Sequence, residues 1–276
     1  MKINPENLYD KTTEVLAAIN DGEYPQVYEY LDSLLEDDGI IDTTPFDIAT
    51  VLVKCDKPKL FPLFLVEYIT ALYEFEIEGG NNDAMNDLGC QYYDGGRGFE
   101  QSFEKAVHFY KMAAEHGNHH AMENLGYCYY YGRDMEPDYE KAFQCFAFGA
   151  FNGMLISLYK IGDMYRYGYY VEKSEQEAFQ IYHRCLSMMD NNSSSYIAGP
   201  VHLRLGDMYL NGLGTEQDCE SALFHYGLAE VMLYRMVKDG DYMYKKSLRM
   251  AIEGQAMARA QLAKNIPEAE WIDEQV

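Results

Sequence analysis

Apolar and small residues recur along this chain at helical spacing, and between residues 84 and 226 they do so in a repeating frame. Ala84, Leu88 and Tyr92, then Ala121, Leu125 and Tyr129, form i, i+4, i+8 stripes that give a helix one apolar face. Each stripe carries the same motif. Leu88-Gly89 is followed by Tyr92 and Gly95, Leu125-Gly126 by Tyr129 and Gly132, Ile161-Gly162 by Tyr165 and Gly168, and Leu205-Gly206 by Tyr209 and Gly212. The motif begins at positions 88, 125, 161 and 205, so its steps are 37, 36 and 44 residues. Ten or eleven residues after each closing glycine stands a second block: Ala106 with Phe109 and Tyr110, Ala142 with Cys145 and Phe146, Ala178 with Ile181 and Tyr182, Ala222 with His225 and Tyr226.

The first block predicts a helix A and the second a helix B. The glycine beside the leucine has no Cβ, which admits a neighbouring helix at close range, and the later glycine suits a helix end that needs positive φ. Each unit is then a helix hairpin whose apolar faces only another hairpin can cover.

The run LGxxYxxG, then KAxxFYKMAAEHGN, then AxxxLG, resembles the SEL-one-like repeat (SLR) family, relatives of the tetratricopeptide repeats, over about residues 81–226. The resemblance implies an all-α solenoid of antiparallel helix hairpins between helical caps. Its units fall at 45–80 for a degenerate repeat, with Ile48, Leu52 and Val53 on helix A and a helix B ending near Glu78, and at 81–238 for four full repeats. Residues 1–44 read as an N-terminal helical cap of two helices, marked by Leu8, Val15, Leu16 and Ile19 and by Val27, Tyr30, Leu31, Leu34 and Leu35. Residues 239–276 read as C-terminal capping helices and a tail. There the expectation is a break at Asp239-Gly240-Asp241, a further helix, and a terminal helix A carrying Ala251, Gly254, Ala258 and Leu262 and stopping before Pro267. Between the third and fourth repeats, eight extra residues fall around 191–195, read as a loop.

Composition narrows the function classes. Lys and Arg number 22 against 45 Asp and Glu, a net charge of −23, which disfavours nucleic acid and anionic lipid and favours basic partners. The excess is uneven: residues 1–80 hold 5 basic and 17 acidic side chains, net −12. Residues 1–15 show no apolar run behind a basic segment, and the most apolar stretch, 60–66, is too short to span a bilayer. The six cysteines contain no CxxC and read as free thiols, so the expected location is cytoplasmic.

The candidate chemistry is sparse. His116, His119, His120 and Glu123 share a helix face in the manner of metal ligands, but they stand where the preceding unit has a solvated turn, and no metal or other cofactor is expected. The glycine turns at 95–98 and 212–214 lack the preceding strand and the GK[ST] of a phosphate cradle. No GxSxG or SxxK context marks a nucleophile, so no catalytic residue is expected. Some secreted SLR relatives are β-lactamases with a disulfide in each unit, and a hydrolase is therefore an alternative; it fits poorly, because Ala114 and Ala150 stand where the bridging cysteines would align.

In related tetratricopeptide folds the face of helix A turned away from helix B lines a concave groove. The resemblance assigns to it Asn86, Cys90, Tyr93 and Asp94 in the first repeat, and Glu123, Tyr127, Tyr130 and Tyr131 in the second. The third contributes Tyr159, Asp163, Arg166 and Tyr167, and the fourth Leu203, Asp207, Leu210 and Asn211. Tyrosine combines contact area, a polar tip and little rotamer entropy, so a tyrosine groove flanked by Glu123 and Asp163 suits a peptide or protein carrying Lys or Arg. The expected function is a non-catalytic adaptor or scaffold. The alternative, which the resemblance also implies, is an immunity-type inhibitor that neutralises a basic effector or toxin.

Overall fold

A computed structural model describes residues 1–19, 23–36, 39–40, 43–55, 60–189 and 195–265. It is all-α, of the helix-hairpin solenoid class, apart from one short strand pair, and it divides into two compact units, Met1–Ala142 and Phe143–Val276.

The first unit begins with α1 (Leu8–Ala18) and α2 (Pro25–Leu34), then β1 (Leu35–Glu36) paired antiparallel with β2 (Gly39–Ile40). Leu35, expected at the end of the second helix, is in the strand instead. Then come α3 (Pro45–Lys54), started by a Thr44/Asp47 capping box, and α4 (Leu63–Glu78). α4 buries Leu65, Val66, Tyr68, Ile69, Leu72 and Tyr73, more than one face, because α1, α3 and α5 (Asn82–Asp94) all pack on it. At its centre the fully buried hydroxyls of Thr12 and Tyr68 meet at 2.7 Å. α6 (Phe103–Glu115), α7 (His119–Tyr131) and the first residues of α8 (Tyr139–Phe151) complete the unit.

The second unit holds the rest of α8, then α9 (Leu155–Tyr167), α10 (Glu175–Ser187), α11 (Ser195–Asn211), α12 (Cys219–Lys238) and α13 (Lys245–Asn265). Two expectations change here. The loop reading of 191–195 fails at Ser195, which opens α11, so part of the insertion lengthens that helix to 17 residues against 13 for α5, α7 and α9; positions 191–194 lie outside the described residues. The further helix and the terminal helix A are one helix, α13, preceded by a 3-10 turn at Tyr242–Tyr244; Pro267 lies outside the described residues.

The four closing glycines, Gly95, Gly132, Gly168 and Gly212, have φ of 60°, 64°, 73° and 65° and end the A helices α5, α7, α9 and α11. The motif glycines admit a tyrosine of helix B: a Cβ on Gly89, Gly162 or Gly206 would stand 2.8, 2.7 or 2.9 Å from the ring of Tyr110, Tyr182 or Tyr226. Tyr226 has no room to retreat, because a Cβ on Gly254 of α13 would overlap the same ring. Alanine gains about 1 kcal/mol over glycine in an open helix. Gly206→Ala should nevertheless destabilise the protein by about 1–3 kcal/mol, because overpacking against a fixed ring outweighs that gain. Urea unfolding checks the sign; a stabilised variant would contradict the close approach.

Candidate functional site

The A helices are α5 and α7 in the first unit, and α9, α11 and α13 in the second. On α5, Asn86 is buried and ties two helices together, its amide oxygen accepting from Asn124 of α7 at 3.0 Å. Tyr93 is half-buried against Phe103 at 5.3 Å, and Asp94 is exposed. On α7, Glu123 is only 6% exposed. The rings of Tyr127 and Tyr131 stack at 6.0 Å, Tyr130 meets Tyr131 edge-on at 4.9 Å, and the Arg133 guanidinium lies 5.9 Å from the Tyr131 ring. Tyr127 and Tyr130 are half-buried, whereas Tyr131 is 48% exposed, so the cluster presents one open ring supported by others.

In the second unit, charge organises the A-helix face. Asp163 of α9 accepts from Nε and a terminal nitrogen of Arg204 on α11, at 3.0 and 3.2 Å, and from the Tyr182 hydroxyl at 2.6 Å, with Lys160 Nζ at 3.6 Å. Arg166 of α9 pairs in the opposite sense with Asp207 of α11. The two helices thus exchange crossed ion pairs. Burial would raise the Asp163 carboxyl, but Arg204, Lys160 and the hydrogen bonds outweigh it and hold the group below the usual carboxylate range. Burial, with the Asp207 carboxylate nearby, pushes the Tyr226 phenol up.

A register rule runs through these contacts. The residue after the motif glycine faces the tyrosine of its own helix B: Cys90 Sγ lies 3.5 Å from the Tyr110 hydroxyl, Asp163 accepts from the Tyr182 hydroxyl, and the Asp207 carboxylate helps to raise the Tyr226 phenol. The neutral contact of the first unit becomes an ionised one in the second.

The burial corrects the surface expected at several positions. Tyr159 is 8% exposed and lies under the Arg204 guanidinium at 5.0 Å. Asp163 and Glu123, expected as acidic flanks, are 2% and 6% exposed, and the charge of Asp163 is spent on Arg204 and Lys160. Arg166 is 9% exposed. Tyr167 stays open at 49%, with its ring 5.4 Å from the Arg166 guanidinium.

A cavity of about 350 Å³ opens between α9, α11 and α13. Arg166, Tyr167 and Asp207 line it as the helix-A offsets imply, and so does Leu203. Sequence reasoning missed Arg204, because it directly precedes the motif leucine and falls outside those offsets. It also missed Lys246, Met250 and Met257, because α13 carries no copy of the motif. Among the described residues no group of three or more His, Cys, Asp and Glu side chains is arranged to hold a metal ion, and His116 Nδ1 lies 2.8 Å from the Met112 carbonyl of its own helix. Among them, too, no helix is long and apolar enough to cross a membrane.

Compared with known proteins, the chain matches a model of the Sel1 repeat at residues 82–118, 119–150, 155–184 and 201–229. It resembles a Sel1 repeat protein from Oxalobacter formigenes, with a TM-score of 0.50 and 27% identity over 59% of this chain and 63% of that one. It also resembles c5321, a protective antigen of uropathogenic Escherichia coli strains with an SLR fold, with a TM-score of 0.55 and 18% identity over 94% of this chain and 57% of that one. The chain thus spans 63% and 57% of the lengths of these two structures. The immunity protein Pa5087 of Pseudomonas aeruginosa aligns over 80% of both chains at 18% identity and a TM-score of 0.45, below the level at which a shared fold is argued. Among curated proteins, none matches the sequence.

Proposed function

We propose that this chain, which carries four consecutive Sel1 repeats, is a non-catalytic adaptor or scaffold that binds its partner through its A helices, since such repeats typically mediate protein–protein interaction. The observation that carries this reading is the open tyrosine on each unit's A helices. Tyr131 and Tyr167 are 48% and 49% exposed, and each lies beside an arginine and other aromatic rings that hold it in place. A pre-ordered, half-exposed tyrosine gives contact area while losing little entropy on binding.

The partner is a peptide or protein of basic overall character. The reason is long-range: net −12 over residues 1–80 steers a cation toward that end of the chain. The same charge supports a second reading, an immunity-type inhibitor of a basic effector, which would form one tight complex whose association rate falls with ionic strength; an adaptor would capture several weaker partners. A reducing, cytoplasmic compartment, expected from six cysteines with no CxxC, belongs to the same reading.

Capture from a lysate of the source organism tests the reading, comparing the wild type with Tyr127→Ala, Tyr131→Ala, Tyr167→Ala. The variant should keep its circular dichroism and lose the partners. Recovery of the same partners by a folded variant refutes the A-helix face.

A further inference from the structure

We propose that the cavity between α9, α11 and α13 selects the partner by receiving an apolar side chain with an adjacent carboxylate, Lys246 being the pairing cation. This inference rests on the A-helix reading and adds the chemistry of what binds there. At about 350 Å³ the cavity is within the size range of ligand pockets, and it can enclose one large side chain.

The sign of the preferred charge follows from which groups are already engaged. The cavity has two carboxylates. Asp207 is held by Arg166 and by the Asn211 amide at 3.1 Å, and Glu253 pairs with Arg249 at 3.8 Å. An incoming Lys or Arg would therefore have to share a carboxylate that already has a partner. On the cationic side, Arg204 and Arg166 are likewise engaged, by Asp163 and Asp207. Lys246 is different: it is exposed, and among the described residues it has no ion-pair partner. An anion entering the cavity gains a charge-assisted contact without breaking one.

The apolar half of the recognition comes from Met250 and Met257, 46% and 53% exposed, with the open Tyr167 ring lining the same cavity. Methionine is unbranched and polarizable, so this wall adapts to aliphatic or aromatic side chains alike. The cavity complements the overall acidity: distant charge brings a basic partner to the chain, and the cavity then accepts a local apolar-acidic element of it.

The probes are two pairs of fluorescein-labelled synthetic peptides of equal length. One pair compares Leu-Asp with Leu-Lys inside an amidated chain, and the other a free with an amidated C-terminal leucine, so a side-chain carboxylate is told from a chain terminus. Fluorescence anisotropy on the full chain should show the carboxylate member of at least one pair binding about tenfold tighter. Lys246→Glu should remove or reverse that preference. The substitution lies in the first turn of α13, where an acid is favoured, so it leaves the fold intact. Equal affinity within both pairs, no measurable binding, or an unchanged preference in Lys246→Glu overturns the proposal. If neither pair is discriminated while the tyrosine variant still loses its captured partners, the A-helix face stands and this selectivity falls. If the tyrosine variant keeps its partners, the A-helix reading itself falls.

Discussion

Asp163→Asn is expected to lower the stability of the chain by about 3–5 kcal/mol, the cost of leaving a buried cation without its anion. Asp163 is 2% exposed, and the side chains facing it, Lys160 and Arg204, are 5% and 21% exposed. The amide can still accept the Tyr182 hydroxyl, but it leaves those two cations around a neutral group. This is also the contact that holds α9 to α11, so the loss weakens the frame of the A-helix face. The measurement is urea unfolding, read as a lower midpoint at unchanged slope. Asp163→Leu combined with Arg204→Met and Lys160→Met should recover much of the loss, because replacing all three charges leaves none uncompensated. A single substitution costing less than about 1 kcal/mol, the worth of an exposed pair, would contradict the buried ion pair.

Acidification is expected to have the second large effect, through three histidines packed together on α10, α11 and α12. His202 and His225 are 8% and 7% exposed, with their Nδ1 atoms 2.8 Å apart, so one ring donates to the other. His183 Nε2 lies 3.2 Å from the Tyr209 hydroxyl, and the Tyr209 ring stacks on His225 at 5.4 Å. The remaining walls are Phe179 and Phe224, and Asp218 at the N-cap of α12 bears on Tyr209. Among the described residues no carboxylate bonds any of the three rings. Burial, reinforced by mutual repulsion, pulls His202 and His225 from 6.5 down to about 4, and burial also lowers His183.

The sign follows from linkage. Well above pH 6.5 neither the folded nor the unfolded chain carries these protons. As the pH falls from 6.5 toward about 4, the unfolded chain takes them up first and stability drops. Two groups each moving by about 2.5 units set an upper bound of about 7 kcal/mol at about 1.4 kcal/mol per unit, and solvent screening of these incompletely buried rings reduces it to about 3–6 kcal/mol over that window. Carboxylates titrate in the same range, so the contribution is read against a His202→Leu, His225→Phe variant, whose stability should vary less with pH between 6.5 and 4. An identical slope in the variant would contradict the cluster.

The parts of this structure legible in the sequence are those that repeat. Leu-Gly, the tyrosine three residues after that glycine and the closing glycine recur because each solves the same local problem in every hairpin: close approach, packing and a positive-φ stop. What the repeat does not encode was not legible. The extra turn of α11 and the continuity of α13 depend on packing outside the motif. Arg204 and Asp163 are 41 residues apart, and nothing in their local context marks them as partners. Tyr159, read as a groove ring, is covered by that same arginine. His183, His202 and His225 are isolated letters on three helices, though His225 stands in a slot where other repeats have Phe109, Cys145 and Ile181. Tyr131 and Tyr167, by contrast, follow from position alone, as the last residues of their A helices before the closing glycine.

The most direct test of the account is calorimetric titration of the purified captured partner into two matched variants. One removes the A-helix rings, by Tyr127→Ala, Tyr131→Ala and Tyr167→Ala. The other removes exposed rings of the B helices α8 and α12, by Phe148→Ala, Phe224→Ala and Tyr234→Ala. Binding through the A-helix face predicts an affinity loss of at least about tenfold in the first variant and wild-type affinity in the second. Wild-type affinity in the first, with the loss confined to the second, would contradict it.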